Sequence, residues 1–266
     1  MLHRQPREIP NDNPRVKQSA VAHRVGDYFD ALGRTLLRWR EGEGLLWAPQ
    51  RKLPQNCPGG DLYHERLNSW LEIKGAGSNP FKIYSSQLGS HIKEAEAGFP
   101  TDSYLYLLFW YTNKSNLGGK NHRLIGAATD QRELERILAS HTRDCYVVDV
   151  RVLAALWQKS GACRDLRHSD WDKEENRSMV PVTETILQKL ADDTRQELVR
   201  LDLPRKFRRR FLRDPKDENK LVRSIQPIDI SLKFRQRLVK FQLFLIVPTV
   251  MRERIEKLVL ANGNGH

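Results

Sequence analysis

The order of apolar patterns along the chain predicts an α/β fold in which a mixed central sheet is flanked by helices. Strand-like apolar runs occur at Trp70–Lys74, Ser103–Thr112 and Cys145–Val150. Segments with helical spacing, such as 17–33 and 130–140, alternate with these runs. That alternation is typical of a sheet with crossover connections. A basic and mainly helical C-terminal region is expected after this core.

Composition divides the chain into four predicted parts. Three prolines among polar residues predict a loose leader, and a charged stretch without periodicity predicts a linker. The predicted parts are a leader at 1–16, an α/β core at 17–160, a linker or loop at 161–180, and a basic C-terminal region at 181–266.

Charge and cysteine content limit the possible partners and the compartment. The 266 residues include 45 Lys and Arg against 33 Asp and Glu, a formal net charge of +12. This excess favours an anionic partner, nucleic acid first and an anionic membrane surface second. No apolar run is long enough to span a bilayer, so no membrane-embedded segment is expected. Three scattered cysteines and a polar N-terminus without a secretory signal predict a reduced, cytoplasmic protein.

The first predicted helix covers residues 17–33. Val21, Val25 and Phe29 recur at helical spacing, and Gly33 is expected to end the helix. Asp27 lies off this apolar stripe, so the residue pattern alone favours a solvated position for it.

Residues 57–77 contain the acids and the lysine around which we expect the chain to be organised. Side chains alternate along a strand, so Glu72 and Lys74 should share one face of the strand Trp70–Lys74. If His64 pairs with Ser69 across a four-residue loop, position 61 falls opposite position 72 and both carboxylates share that face. A register slip of one residue would separate them.

Two carboxylates beside an ammonium group suit phosphodiester hydrolysis. Carboxylate oxygens hold Mg²⁺ with open positions for water, and the metal lowers the pKa of a bound water. A lysine stabilises charge that develops at the phosphate. The alternative interpretation is a surface hairpin with a salt bridge.

A helix and a buried strand are predicted after this motif. Asn79 and Pro80 predict a helix start, and the helix should run to about Ala97 with Gln87 and His91 on one face. Residues 103–112 are almost uniformly apolar, which predicts a central strand buried on both faces beside Trp70–Lys74.

The remaining chain has weaker signals. Residues 228–245 switch between strand and helix spacing, so this segment stays undecided. The other predicted elements are an exposed loop at 113–122, a strand at 123–128, a helix opening at Asp130, a helix at 152–159, and a last helix with Thr249 as its cap.

The motif around Asp61 resembles the PD-(D/E)XK nuclease superfamily. It reads Pro58-Gly59-Gly60-Asp61, followed by Glu72-Ile73-Lys74, and the likeness covers about residues 17–130. Pro58 lies three residues before the acid rather than next to it. The resemblance implies a restriction-endonuclease-like fold and a magnesium-dependent DNA endonuclease that can also use Mn²⁺. It also implies a restriction-type or mobile-element enzyme that can form a homodimer.

The resemblance also implies roles for single residues. Asp61 and Glu72 would be the metal ligands, and Lys74 would act at the scissile phosphate. Gln87 would point at the site from the helix after the strand. Asp27 is a candidate for a further acid, because an N-terminal helix often supplies one in this superfamily.

A basic run near the C-terminus is the expected DNA-binding surface. From residue 195 to the end the chain has 18 Lys and Arg against 8 Asp and Glu, so most of the excess charge lies there. Such a surface also supports two other hypotheses, a nucleic-acid-binding module without catalysis and an adaptor that binds a protein or membrane. The predicted contacts are Arg205, Lys206, Arg208, Arg209, Arg210 and Arg213, which flank Phe207 and Phe211.

We expect replacement of Arg208, Arg209 and Arg210 by Ala to weaken DNA binding and to flatten its salt dependence. If all three contact phosphates, the log–log slope of affinity against salt should fall by about 2.7. Fluorescence anisotropy across a salt series measures the slope. An unchanged slope would mean that this run faces something other than DNA.

Overall fold

The computed structural model describes residues 14–39, 62–77, 81–84, 88, 91, 103–150, 153, 179–182, 221–223 and 227–261. The elements with described bounds are α1 (Pro14–Leu36), β1 (Leu62–His64), β2 (Ser69–Ala76), β3 (Phe81–Tyr84), β4 (Ser103–Tyr111), β5 (Lys114–Leu117), β6 (Lys120–Arg123), α2 (Gln131–His141), β7 (Thr142–Asp149), β8 (Met179–Val182), β9 (Leu221–Arg223), β10 (Ile228–Phe234), β11 (Arg237–Pro248) and α3 (Thr249–Leu260). The α/β class expected from the sequence is confirmed.

A mixed, curled sheet forms the centre of the described structure. Its strands run in the order β1-β2-β4-β7-β11-β10, and β9 adds to the end of β11. β2 and β4 are parallel, as are β7 and β11, whereas the other neighbouring pairs in this order are antiparallel. The predicted pairing of the motif strand with the apolar run at 103–112 is therefore confirmed. Every side chain of β4 from Tyr104 to Tyr111 is buried, because the strand has a neighbour on each side and cover on each face.

Helix α1 lies against the concave face of this sheet. Its predicted apolar stripe is confirmed, since Val25, Phe29 and Leu32 are buried. Phe29 stacks on Phe109 of β4 with ring centroids 5.3 Å apart, while the neighbouring Tyr28 meets Phe234 of β10 edge to face at 5.3 Å. The sheet must curl for one helix to touch both strands, because β4 is third and β10 is last in the strand order.

Two glycines let α1 and β2 approach closely. The sequence predicted that each glycine ends its element, and both predictions are wrong. α1 continues to Leu36 instead of ending at Gly33, where a Cβ would come within 2.9 Å of Ile73 Cδ1. Gly75 lies inside β2 instead of ending it, and a Cβ there would overlap the ring of Phe29. At each of these positions a side chain would block the packing of the helix on the strand, and glycine has none.

The helix predicted to start at Asn79 and Pro80 does not start there. Phe81–Tyr84 is a strand that pairs antiparallel with β8, and Ile83 and Val182 are buried in that pair. Helical backbone is described at Leu88 and His91, so a helix does follow, but it begins later than predicted. Met179 and Val180, which we placed in the linker, are part of β8.

The predicted loop at 113–122 is instead a β-hairpin, formed by β5 and β6. Gly118 and Gly119 join the strands with φ of +63° and +75°, a backbone region that glycine enters without steric cost. The strand predicted at 123–128 is wrong as well, since Ile125–Ala127 forms a 3-10 helix.

The undecided segment near the C-terminus forms two strands that join the central sheet. The described residues of the C-terminal region are therefore mainly strand, which corrects the expectation of a mainly helical region. β10 and β11 are antiparallel, and β11 continues into a parallel pairing with β7. α3 is confirmed as the last helix, but its N-cap is Pro248, without a side-chain capping bond. Asp130 is confirmed at the start of α2, where its side chain accepts a hydrogen bond from the Glu133 amide at 2.8 Å. No helix in the described ranges has the length and apolarity needed to cross a bilayer.

We expect Gly75→Ala to destabilise the fold by about 1–3 kcal/mol, because the added methyl group must displace the ring of Phe29. Gly26→Ala is the matched control, since a Cβ on that α1 residue meets nothing within 4 Å. The control should stabilise the protein by about 0.5–1 kcal/mol, as alanine is favoured over glycine in a helix. Urea unfolding measures both changes, and equal stabilities would contradict the packing.

Candidate functional site

The hairpin of β1 and β2 has the register that the motif requires. His64 pairs with Ser69 and Leu62 with Leu71, across the four residues Glu65–Asn68. Three of these form a 3-10 turn, and Asn68 adopts left-handed backbone with φ of 46°. The predicted antiparallel pairing and loop length are therefore confirmed. Asp61 directly precedes β1 and lies outside the described residues.

The His64 side chain holds this turn in place. Its Nδ1 accepts a hydrogen bond from the Leu67 amide at 3.3 Å, so the proton of the neutral ring is on Nε2. That Nε2 lies 2.9 Å from the Leu37 carbonyl oxygen just after α1. The buried imidazole thereby ties the turn of the hairpin to the end of the first helix.

Glu72 and Lys74 lie on the same face of β2, as predicted. Lys74 Nζ donates a hydrogen bond to Glu72 Oε1. The Glu72 side chain is only 2% exposed, whereas that of Lys74 is 30% exposed. The alternative of a surface hairpin with a solvated salt bridge does not fit a carboxylate so deeply buried. Burying a carboxylate costs several kcal/mol, which the partner cation only partly offsets.

His91 joins this pair from the helical segment on the convex face of the sheet. Its Nε2 lies 4.0 Å from Glu72 Oε2, and its Nδ1 is hydrogen-bonded to the Tyr106 hydroxyl. The imidazole also stacks on Tyr104 with centroids 4.5 Å apart. Tyr106 is the register partner of Glu72 across the parallel strands, which brings its side chain to the same place.

The sequence paired His91 with Gln87 on one helical face but gave His91 no role of its own in the site. The available signal was its four-residue spacing from Gln87, which places both on one helical face. Gln87 itself lies outside the described residues. Neither spacing nor composition indicates the contact with Glu72, because that contact depends on the parallel pairing of β2 with β4.

Asp27 is not brought to this cluster. It is exposed on α1, and α1 packs on the face of β2 that carries Ile73 and Gly75. Glu72 and Lys74 point to the opposite face. The predicted DNA contacts lie outside the described residues, namely Arg205, Lys206, Arg208, Arg209, Arg210 and Arg213.

The cluster has one oxygen donor suited to a hard cation. Within the described ranges no group of three or more His, Cys, Asp and Glu side chains is placed to hold a metal ion. Glu72 fits the role of a carboxylate ligand to Mg²⁺, which prefers few carboxylates and several waters. A second carboxylate on the same face would have to come from outside these ranges, where Asp61 lies.

The end of β2 next to this site is closely packed. Gly77 follows the strand, and a Cβ there would come within 2.6 Å of the Tyr111 ring. Burial raises the pKa of Tyr111 to about 12, so the phenol stays neutral at physiological pH. Tyr111 therefore contributes shape rather than charge to this end of the sheet.

Comparison with known proteins identifies no relative. No protein-family model, no curated protein and no solved structure matches the chain. The interpretation of the site therefore depends on its own residues and geometry.

We expect Lys74→Ala to destabilise the fold by about 1.5–3 kcal/mol, because it removes a charged hydrogen-bond donor from a buried carboxylate. Glu72→Gln combined with Lys74→Ala should be less destabilised than Lys74→Ala alone, since no buried charge then loses its cation. Urea unfolding measures both variants. Lys240→Ala, at an exposed position of β11, is the control and should change stability by less than about 0.5 kcal/mol. Equal effects at positions 74 and 240 would argue against the pairing.

Proposed function

We propose that the protein is a magnesium-dependent DNA endonuclease with a restriction-endonuclease-like fold. The observation that carries the proposal is the buried Glu72, paired with Lys74 on a strand whose hairpin register is suited to a second acid. Leu62 lies opposite Leu71, so continuation of the ladder by one residue would pair position 61 with Glu72. A salt bridge on the surface does not require a buried carboxylate. In active sites, by contrast, burial of charged groups strengthens their electrostatic interactions.

Each residue has a distinct role in this proposal. Asp61 and Glu72 would supply oxygen ligands to Mg²⁺ or Mn²⁺, and the bound ion would lower the pKa of a water and neutralise phosphate charge. Lys74, whose side chain is partly exposed, stabilises the charge that develops on the phosphate oxygens. His91 and Tyr106 hold the Glu72 side chain in position, and Gln87 orients the attacking water.

The proposal extends to the biological type of enzyme. The enzyme would be of the restriction type or associated with a mobile element. Restriction-type members of this superfamily that cut both strands of a duplex are often dimers, and we expect a homodimer here. The basic region at 205–213 would hold the DNA. The net charge of +12 supports an anionic substrate of this kind.

A second candidate function is binding of nucleic acid without catalysis. The concentration of basic residues after residue 195 favours it independently of the acidic site. In that case Glu72 and Lys74 would be a structural ion pair, and their replacement would change stability alone.

We expect the wild-type protein to nick supercoiled plasmid in the presence of Mg²⁺ but not of EDTA. Asp61→Asn should abolish nicking while DNA affinity, measured in EDTA, stays nearly unchanged. Lys74→Ala should lower the rate by roughly 100- to 1,000-fold at a temperature where the variant remains folded, because a donor that acts in the transition state is lost.

Lys240→Ala removes the same charge outside the site and is the control for Lys74→Ala. Equal loss of rate in both variants would exclude a specific role for Lys74. Retained cleavage by Asp61→Asn would exclude Asp61 as a ligand. Absence of nicking by the wild type with either Mg²⁺ or Mn²⁺ would favour the second candidate function.

A further inference from the structure

The hairpin of β5 and β6 stands apart from the central sheet. Its strands form a sheet of their own, and within the described structure they pack extensively only against each other. Every residue from Asn116 to Arg123 is exposed, and Leu117 at the tip is 71% exposed. These exposed residues add little to the hydrophobic core, so the stability of the fold does not explain the hairpin. A binding role would explain it.

The base of the hairpin is firmly held. Asn113 Oδ1 accepts a hydrogen bond from the Ile125 amide at 3.0 Å, and the Asn113 carbonyl accepts one from Leu124 at 3.2 Å. Ile125 is buried in the core. Thr112 donates a backbone hydrogen bond to His141 at the end of α2 at 2.9 Å. The direction in which the ribbon projects is therefore set by the folded core.

The hairpin leaves the sheet at the same end as the candidate site. β2 and β4 are parallel, so their carboxyl ends lie at one edge. A Cβ on Gly77 would lie 2.9 Å from Asn113 Cβ, which puts the hairpin base against the chain three residues beyond Lys74. A long ligand at Lys74 could therefore reach the hairpin.

The charges of the hairpin are all of one sign. Lys114, Lys120 and Arg123 are exposed, and the sequence has no Asp or Glu from residue 103 to residue 129. Lys114 lies directly opposite Arg123 in the register, and like charges in that arrangement destabilise a hairpin. None of these three side chains forms an ion pair with another residue of the described ranges. An anionic ligand would relieve this repulsion.

One face of the ribbon combines cations with amides. Lys114, Asn116, Asn121 and Arg123 share one face, with the cations at the base and the amides nearer the tip. Cations at this spacing suit phosphates, whereas asparagine amides can form paired hydrogen bonds with the edge of adenine.

We propose that residues 114–123 form a DNA-reading ribbon that enters the major groove of the duplex bound at the Glu72–Lys74 site. The major groove of B-form DNA admits a two-stranded β-ribbon. Lys114 and Arg123 contact phosphates at the groove edge, and Asn116 and Asn121 reach the base edges. The identity of the ligand as DNA rests on the proposed function.

Other partners fit this ribbon less well. Protein interfaces are rich in aromatic residues at their centre, and this hairpin has none. Its only large apolar side chain is Leu117, which is too little for insertion into a membrane. The major groove of an RNA duplex is deep and narrow, so the ribbon cannot enter it.

The test measures binding in EDTA, where no metal-dependent cleavage occurs. A 30-base-pair DNA duplex and an RNA duplex of the same sequence are titrated by anisotropy from 50 to 200 mM salt. The hairpin variant is Lys114→Ala with Arg123→Ala. The control variant, Arg132→Ala with Lys233→Ala, removes one exposed Arg and one exposed Lys from α2 and β10. Circular dichroism checks that each variant is folded.

The hairpin variant should lower the log–log slope for DNA by about 1.8, two phosphate contacts at ~0.9 each. Between the two salt concentrations, the wild type would then lose about 12-fold more affinity than the variant. The control variant should keep the wild-type slope.

In a panel of duplexes that differ at single A·T pairs, Asn116→Ala with Asn121→Ala should keep the slope and lose discrimination between the duplexes.

Three results would overturn the inference. These are no binding of duplex DNA by the wild type, equal slopes in the wild type and the hairpin variant, or RNA binding as tight as DNA binding with the same loss in the variant. Nicking of plasmid is a separate measurement. Hairpin-dependent DNA binding without any nicking would sink the endonuclease proposal and leave the ribbon in place.

Discussion

The contact between Phe29 and the backbone of Gly75 determines how the rest of the structure is arranged. Phe29 also stacks on Phe109 and lies 5.4 Å from the ring of Tyr111, so one side chain of α1 joins β2 to β4. Because α1 fills the concave face, the alternate residues of β2 must face the convex side. Glu72 and Lys74 are therefore presented on the face opposite to α1, where His91 meets them.

The burial of the Glu72 carboxylate costs the fold free energy. The charge of a carboxylate that is 2% exposed needs the cation Lys74 beside it, and the polar side chain of His91, which is hydrogen-bonded to Tyr106, lies nearby. Proteins gain little net stability from such pairs, because desolvation consumes much of the attraction. An apolar residue at position 72 would give the strand similar stability, so stability alone does not explain the acid. This supports a functional reason for Glu72.

Local sequence determined those parts of the fold that depend on neighbouring residues. These parts are the apolar stripe of α1, the cap at Asp130 and the register of the β1–β2 hairpin. Each depends on residues that are close in sequence, either within about one or two helical turns or on the two sides of a short loop. The placement of β4 in the interior followed from the continuous apolar run at 103–112. The shared face of Glu72 and Lys74 followed from the two-residue period of a strand.

Tertiary structure decided the parts that depend on distant partners. Phe81–Tyr84 is a strand because β8, almost a hundred residues later, pairs with it. Gly33 and Gly75 lie inside their elements because α1 and β2 pack closely at these positions. From the sequence alone, a glycine predicts the end of a helix or strand. Buried and exposed residues alternate in β11 as far as Gln242, whereas the residues from Leu243 to Val247, most of which pair with β7, are all buried, so the hydrophobic pattern changes midway. His91 reaches Glu72 only through the parallel pairing of β2 with β4, a contact that no local pattern records because it joins separate segments of the chain.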